Sequence, residues 1–284
     1  MKKLLLGIAA VCLAGFTFAQ DAPLWMRHSV ISPDGTTIAF TYKGDIYTVP
    51  VAGGRAMQIT TNPAYDTAPV WSPDSKRIAF ASDRMGSLDV YIVAKDGGEP
   101  RRLTTHSGSE TPLAFTDAGH VLFSAGIMPS AEAVVFPSNG QFNQVYRVSV
   151  EGGRPTMISS MPMECISINK EGAMLYQDKK GYEDYWRKHH VSPIARDIWM
   201  YTPGKEPQYR QLTTFGGEDR EPVWAPDGKT FYYLSEENGS FNIYRRTPGD
   251  AKAVQLTHYT KNPVRYLSAA TDGRLCYGFD GEIY

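Results

Sequence analysis

Cysteine is scarce: the 284 residues hold three. Cys12 lies in an apolar N-terminal stretch, and Cys165 and Cys276 alone cannot staple a chain of this size, so a disulfide framework is excluded. Both sit in apolar, strand-like runs, which reads as buried free thiols. A basic surplus is also missing, because 29 Lys and Arg face 30 Asp and Glu for a net charge of −1. Nucleic-acid binders carry a basic stripe or excess, so that partner class is set aside. Beyond the N-terminal stretch no apolar run is long enough for a membrane-spanning helix, and no stable membrane insertion is expected. Gly-x-Ser-x-Gly, Cys-x-x-Cys and His-x-His spacings do not occur, which removes the signatures of a nucleophile elbow and of common zinc or redox pairs. Ser107-Gly108-Ser109 reads as an ordinary turn. His189 and His190 are adjacent, so on extended backbone their rings point opposite ways. The sequence therefore points to no catalytic residue, no metal and no cofactor, and leaves open whether the chain belongs to an enzyme.

What is present is turn and strand chemistry. There are 26 Gly, 19 Pro, 17 Tyr and 12 Phe, a composition of many turns between β-strands. Residues 1–19 read as a signal peptide: Lys2-Lys3, an apolar run from Leu4 to Ala14, then Thr17-Phe18-Ala19 with small residues at the cleavage positions. The expectation is an exported, periplasmic protein whose folded part is residues 20–284.

That part repeats six times. An apolar triplet recurs as Ile38-Ala39-Phe40, Ile78-Ala79-Phe80, Val121-Leu122-Phe123, Met174-Leu175-Tyr176, Phe231-Tyr232-Tyr233 and Leu275-Cys276-Tyr277. Downstream of each comes a polar residue, a β-branched residue and an aromatic, from Asp45-Ile46-Tyr47 to Glu282-Ile283-Tyr284. Five units add a third element of the Gln58-Ile59-Thr60 kind. A turn precedes each triplet, clearest in Ser32-Pro33-Asp34-Gly35 and Ser72-Pro73-Asp74-Ser75, where Pro presets the bend. Each unit thus reads as a four-stranded antiparallel meander. Its second strand is apolar on consecutive residues and needs cover on both faces, which only neighbouring units can supply. The units average roughly 44 residues, within the ~40–45 of a propeller blade, whereas solenoids repeat in shorter steps. The expected fold is all-β, a six-bladed β-propeller of four-stranded antiparallel blades. The last blade is incomplete, because its third strand coincides with Tyr284; the expectation is a polypeptide that continues.

Two units are longer. Residues 126–142 separate second and third strands in the third unit, and residues 178–196 do so in the fourth. The latter segment is dense in aromatic and basic residues, and loops on a rigid scaffold often carry specificity. Tyr182, Trp186, Arg187, Lys188, His189, His190 and Arg196 are the candidate binding residues, against the plain alternative of a loop folded on its own aromatic core. Asp45, Asp89 and Asp197 recur at one place in the unit, which argues for structure, as acceptors of backbone N–H groups. His28, His106, His120 and His258 read as surface or loop packing.

The Ser-Pro-Asp-Gly turn, apolar triplet, Asp-Ile-Tyr and Gln-Leu-Thr together resemble the TolB-like (PD40) propeller repeat over residues 26 to 284. The stretch from Lys180-Gly181-Tyr182 through Trp186-Arg187 to Arg196-Asp197-Ile198-Trp199, with the opening Pro23-Leu24-Trp25-Met26-Arg27, looks like the N-terminal six-bladed propeller of tricorn-type serine proteases. That resemblance implies a non-catalytic module followed by further domains that hold the catalytic residues, none of which has a counterpart here. It implies peptides, protein partners and downstream domains of the same polypeptide as contacts, with a homo-oligomer compatible. The second reading is a periplasmic, protein-binding propeller of the TolB kind. A third class, a propeller glycosidase or lactonase, would need carboxylates unique to single blades or a bound metal.

Overall fold

The computed structural model describes residues 25–126, 143–181 and 191–284; residues 1–19, expected to be a signal peptide, lie outside them. Six sheets follow one another along the chain, with four antiparallel strands in each of the first five and three in the sixth. The first strands are Arg27–Ile31, Asp66–Trp71, Glu110–Asp117, Met163–Ile168, Asp219–Trp224 and Arg265–Ala269. Those of consecutive blades touch all round the circle, the sixth meeting the first. They are therefore the innermost strands and enclose a central channel, as the repeat predicts for a propeller.

The apolar triplets form the second strands. Ala39, Ile78, Phe80, Phe123, Leu175 and Phe231 are completely buried, because each second strand is covered by a blade on either side. Clusters cross the blade boundaries. Trp71 of blade 2 packs with Ala39 and Ile46 of blade 1, and its indole N–H donates to the Val30 carbonyl at 3.0 Å. Trp224 does the same between blades 5 and 4, donating to Ala173 O at 3.2 Å. Each is a wedge that joins two sheets by area and by one hydrogen bond; truncating such a residue costs roughly 3–5 kcal/mol.

The turns obey a repeated code. In blade 1 the Asp34 carboxylate accepts from the Ser32 hydroxyl at 2.5 Å and from Thr36 N at 3.0 Å, while Ser32 Oγ accepts Thr37 N at 3.0 Å. Blade 2 repeats this with Asp74, Lys76 N, Ser72 and Arg77 N. Asp117, Asn169, Asp227 and Asp272 play the Asp34 part in the other blades. The degenerate turns thus keep the acceptor even where Pro is lost. Gly35 and Gly228 have φ of 70° and 65°, and Ser75 takes the same left-handed conformation at 58°.

The recurring Asp before the third strand has a different partner from the one expected. Asp45 accepts from the Gln58 side-chain amide at 3.0 Å and the Thr60 hydroxyl at 3.2 Å, both on the Gln-Ile-Thr element. The hydroxyl in turn accepts Ile46 N at 3.0 Å. A side-chain relay therefore clasps the fourth strand to the third. Asn242 is the member that accepts a backbone N–H directly, from Tyr259 at 2.8 Å.

Candidate functional site

In an up-and-down blade the strand 2–3 connections share one face of the ring with the starts of the first strands. Hydrogen bonds from one blade to the next show this directly. Asp66 N donates to Gly44 O at 2.7 Å, Glu110 N to Leu88 O at 2.6 Å and Asp219 N to Arg196 O at 3.0 Å. The described ends of both long connections lie on this loop face. Tyr182, Trp186, Arg187, Lys188, His189 and His190 lie outside the described residues; Arg196 and the segments that anchor the insertion are inside.

The anchor is a buried ion network between blades 4 and 5. Arg196 Nε donates to Glu164 Oε2 at 3.1 Å, and its Nη1 reaches Glu218 Oε1 at 3.4 Å. Glu218 Oε2 accepts Arg220 Nε at 2.7 Å, and the Arg220 guanidinium lies 5.1 Å from the Phe241 ring centre. Glu164 also accepts from Gln177 Nε2 at 3.0 Å and lies 3.4 Å from Lys179 Nζ. Burial pushes the Glu164 carboxyl up, but Arg196, Gln177 and Lys179 outweigh it and hold the group below its ordinary range. On the other flank Lys180 Nζ donates to Ala195 O at 2.7 Å and pairs with Asp197. Asp178 accepts Asp197 N at 2.9 Å and the Trp199 indole at 3.0 Å. Both ends of the insertion, Lys179-Lys180 and Arg196-Asp197, are thus tied to one rigid base.

Each first strand carries a bulge where it lines the channel, because one extra residue is fitted opposite its partner strand. His28, Ala68, Cys165, Glu221 and Tyr266 occupy it with φ between 50° and 57°, a conformation that costs a non-glycine residue roughly 1–2 kcal/mol. Five blades adopt it, so ring geometry imposes it. Cys165 corrects the sequence reading. The residue is exposed although it stands on an innermost strand, which places it on the channel wall, its thiol crowded by the surrounding strands. Burial there, with Glu221 and Glu164 nearby, pushes its thiol up. Cys276 is buried as expected. His28 is likewise a wall residue and not surface packing. Its Nδ1 is 3.1 Å from Thr67 Oγ1 and its ring centre 5.0 Å from that of Tyr266; burial and Arg27 push it down to about 4, so it is neutral at pH 7. His106 serves its own turn, accepting Gly108 N at 2.9 Å.

Sequence reasoning missed a set of buried carboxylates at the loop-face start of the first strands. Asp66, Glu110 and Asp219 are at most 2 % exposed. Asp66 is held by the Arg84 guanidinium through both oxygens at 3.1 and 3.0 Å. Glu110 is pushed up to about 7 by burial, with Thr104 opposing and Asp89 reinforcing. Asp219 reaches about 7, also through burial, opposed by Ser235 and Thr213 and reinforced by Asp197. A signal was available: an acid stands five residues before the Trp or Phe in Asp66-Thr67-Ala68-Pro69-Val70-Trp71, Glu110 to Phe115 and Asp219 to Trp224. Among the described residues no three His, Cys, Asp or Glu side chains stand together as metal ligands would.

These features define a six-bladed β-propeller with a plain turn face and an elaborated loop face. The chain matches the model of the tricorn protease N-terminal β-propeller domain over residues 23–284, and it belongs to that family. It is 26 % identical over 266 residues to tricorn protease homolog 1 of Streptomyces coelicolor, covering 93 % of this chain and 23 % of that protein. The crystal structure of the tricorn protease superposes with a TM-score of 0.75 at 20 % identity, over 93 % of this chain and 25 % of that one. A putative TolB from Agrobacterium tumefaciens has the same fold, with a TM-score of 0.68 at 15 % identity and 91 % coverage of both chains. The chain spans less than a third of the curated relatives it matches.

Proposed function

We propose that this propeller is the non-catalytic N-terminal module of an exported tricorn-like serine peptidase, and that its loop face guides peptides and docks neighbouring domains. The observation that carries the reading is the anchored fourth-blade insertion. A segment rich in Trp, Tyr, His and Arg is fixed at both ends to a buried ion network beside the channel mouth, on a scaffold of the tricorn N-terminal family. Its Trp and Tyr side chains supply amphipathic contact area with little rotamer entropy to lose. The signal-peptide pattern of residues 1–19 supports export to the periplasm.

Fluorescent peptides titrated against the chain test the guiding role. The expected result is saturable binding that Trp186→Ala with His189→Ala weakens at unchanged melting temperature. Equal binding by that double variant would remove the insertion from the site. A second reading, a free-standing protein-binding propeller, is favoured by the putative TolB, whose whole length the chain nearly covers. An open reading frame with hydrolase sequence beyond Tyr284 favours the first reading, and a stop codon the second.

A further inference from the structure

The junctions that follow blades 1 to 5 are built alike on the loop face. The residue at the start of a third strand stands beside the residue at the start of the next blade's first strand. Backbone bonds fix this at four of them: to those given above for Asp66, Glu110 and Asp219, blade 6 adds Val264 N to Phe241 O at 3.0 Å. At the junction of blades 3 and 4 strand register gives the matching pair. Gln144 lies opposite Ala125 and Met163 opposite Asp178, as Asp89 lies opposite Ser82 and Glu110 opposite Ala125. The residue types are correlated. Asp45 stands with Asp66, Asp89 with Glu110 and Asp197 with Asp219, whereas Gln144 stands with Met163 and Asn242 with Val264. Acid accompanies acid, and amide accompanies an apolar side chain. Buried like charges repel, so three such acid pairings need a link that offsets the repulsion.

Each acid pair has one cation, and it touches one member. Arg84 holds Asp66, as described above. Arg102 Nη2 is 2.9 Å from Asp89 Oδ2, and Lys180 Nζ is 2.5 Å from Asp197 Oδ2. The second acid is served differently at each place. Asp45 is half-buried and has donors in Gln58 and Thr60. Glu110 is 1 % exposed, and neither of its oxygens has a well-formed hydrogen bond. The fully buried Asp89 oxygens have none either beyond the Arg102 contact. Between blades 4 and 5, Asp197 Oδ1 and Asp219 Oδ1 are likewise buried without a donor. One proton completes such a set, because a protonated carboxyl is an O–H donor and its neighbour accepts. Asp89 acts on the Glu110 carboxyl by charge and through a side-chain contact, and both favour the protonated form.

We propose that Asp89 and Glu110 share one proton across the junction of blades 2 and 3, and that its release loosens this junction on the loop face. The Glu110 O–H donates to the Asp89 carboxylate, which keeps Arg102. When the proton passes to water, two buried carboxylates are left with one cation, and the blades part there more readily. Asp197 and Asp219 repeat the arrangement between blades 4 and 5, at the base of the fourth-blade insertion. Among the described residues, the other charged or titratable groups around Asp89 and Glu110 have their own places. Arg84, 4.5 Å from the Tyr91 ring centre, is committed to Asp66. Burial pushes the Tyr91 hydroxyl up, so it stays protonated. His106 lies on the loop that leads into Glu110, and its Nδ1 accepts Gly108 N. From blade 3, Ala125 and Gln144 carry no titratable group. The inference stands apart from the peptidase-module reading, since neither export nor peptide binding enters its test.

Hydrogen exchange reads the junction directly, through the Glu110 amide that bonds Leu88 O. The closed junction keeps the Glu110 proton to about pH 7, and an opened one releases it near the ordinary ~4.3. Opening is therefore favoured as pH rises. Corrected for the intrinsic rate, protection of the Glu110 amide should fall roughly tenfold or more between about pH 5.5 and about pH 8. The Val264 amide, in a junction without acids, should change much less. Glu110→Gln should abolish the fall and Asp89→Asn should remove most of it, while His106→Asn should keep it. Unchanged protection in the wild type, or an equal fall at Val264, would overturn the joint. So would a fall that survives Asp89→Asn, which makes Glu110 a lone buried acid, or one that is lost in His106→Asn, which assigns the proton to the imidazole. The wild-type comparison of the two amides needs no variant to fold.

Discussion

The two faces of the ring use polar residues in opposite ways. On the turn face, six short bends each satisfy a few backbone N–H groups with one Asp or Asn, and the carboxylates sit near water. Asp74, held by the Ser72 hydroxyl, and Asp227, held by the Thr230 and Lys229 amides, both lie below the ordinary carboxylate range. On the loop face, charges are taken out of water. Glu218 and Arg220 are both 2 % exposed and Arg196 5 %, and Glu110 and Asp219 titrate near neutrality. The turn face repeats because any blade can be built that way. The loop face differs blade by blade, because buried charge needs a specific counter-charge and so singles out particular junctions. Variation of that kind is where a propeller places recognition.

The comparison predicts a graded series of stability changes. The largest is Glu218→Ala, which strands Arg196 and Arg220 and should cost about 3–5 kcal/mol; denaturant melts read it directly. Glu110→Gln should act in the opposite sense. Folded Glu110 keeps its proton to about pH 7, while the unfolded side chain loses it near its ordinary value of about 4.3. The native state therefore binds the extra proton in that window, and stability falls as pH rises through it. The Gln variant should match the wild type at pH 4 and exceed it by roughly 1–3 kcal/mol at pH 8, as thermal melts across pH would show. On the turn face Asp74→Ala should cost only about 1 kcal/mol, with equal losses at pH 6 and 8. Smallest is Ala68→Gly, which relieves a left-handed alanine and should stabilise by roughly 0.5–1 kcal/mol. A turn-face loss as large as that of Glu218→Ala would erase the contrast between the faces.

Most of the architecture was legible in residue order. Triplets such as Ile78-Ala79-Phe80 and turns such as Ser72 to Ser75 are local devices, so each copy announces its strand or bend without its neighbours. The 23 strands of the described residues stand where the repeat places them. The channel wall was not legible. A bulge shifts side-chain alternation by one residue, so the local sequence around His28 and Cys165 has the pattern of packing residues, and the shift lies in their pairing with the partner strand. The ion network was hidden for a related reason: a charged residue in sequence gives no sign of a counter-charge 32 positions away, as Arg196 has in Glu164. Arg196, a candidate binding residue by sequence, has its guanidinium engaged by Glu164 and Glu218 at the base of the aromatic insertion.

The central claim is a division of labour between the faces, and one paired titration tests it most directly. Peptide affinity and melting temperature would be measured together for Trp186→Ala with His189→Ala on the loop face and for Asp34→Ala with Asp74→Ala on the turn face. The account predicts that the first pair loses affinity roughly tenfold or more at an unchanged melting temperature, and that the second lowers the melting temperature with affinity intact. Loss of affinity in the turn-face pair alone would contradict it.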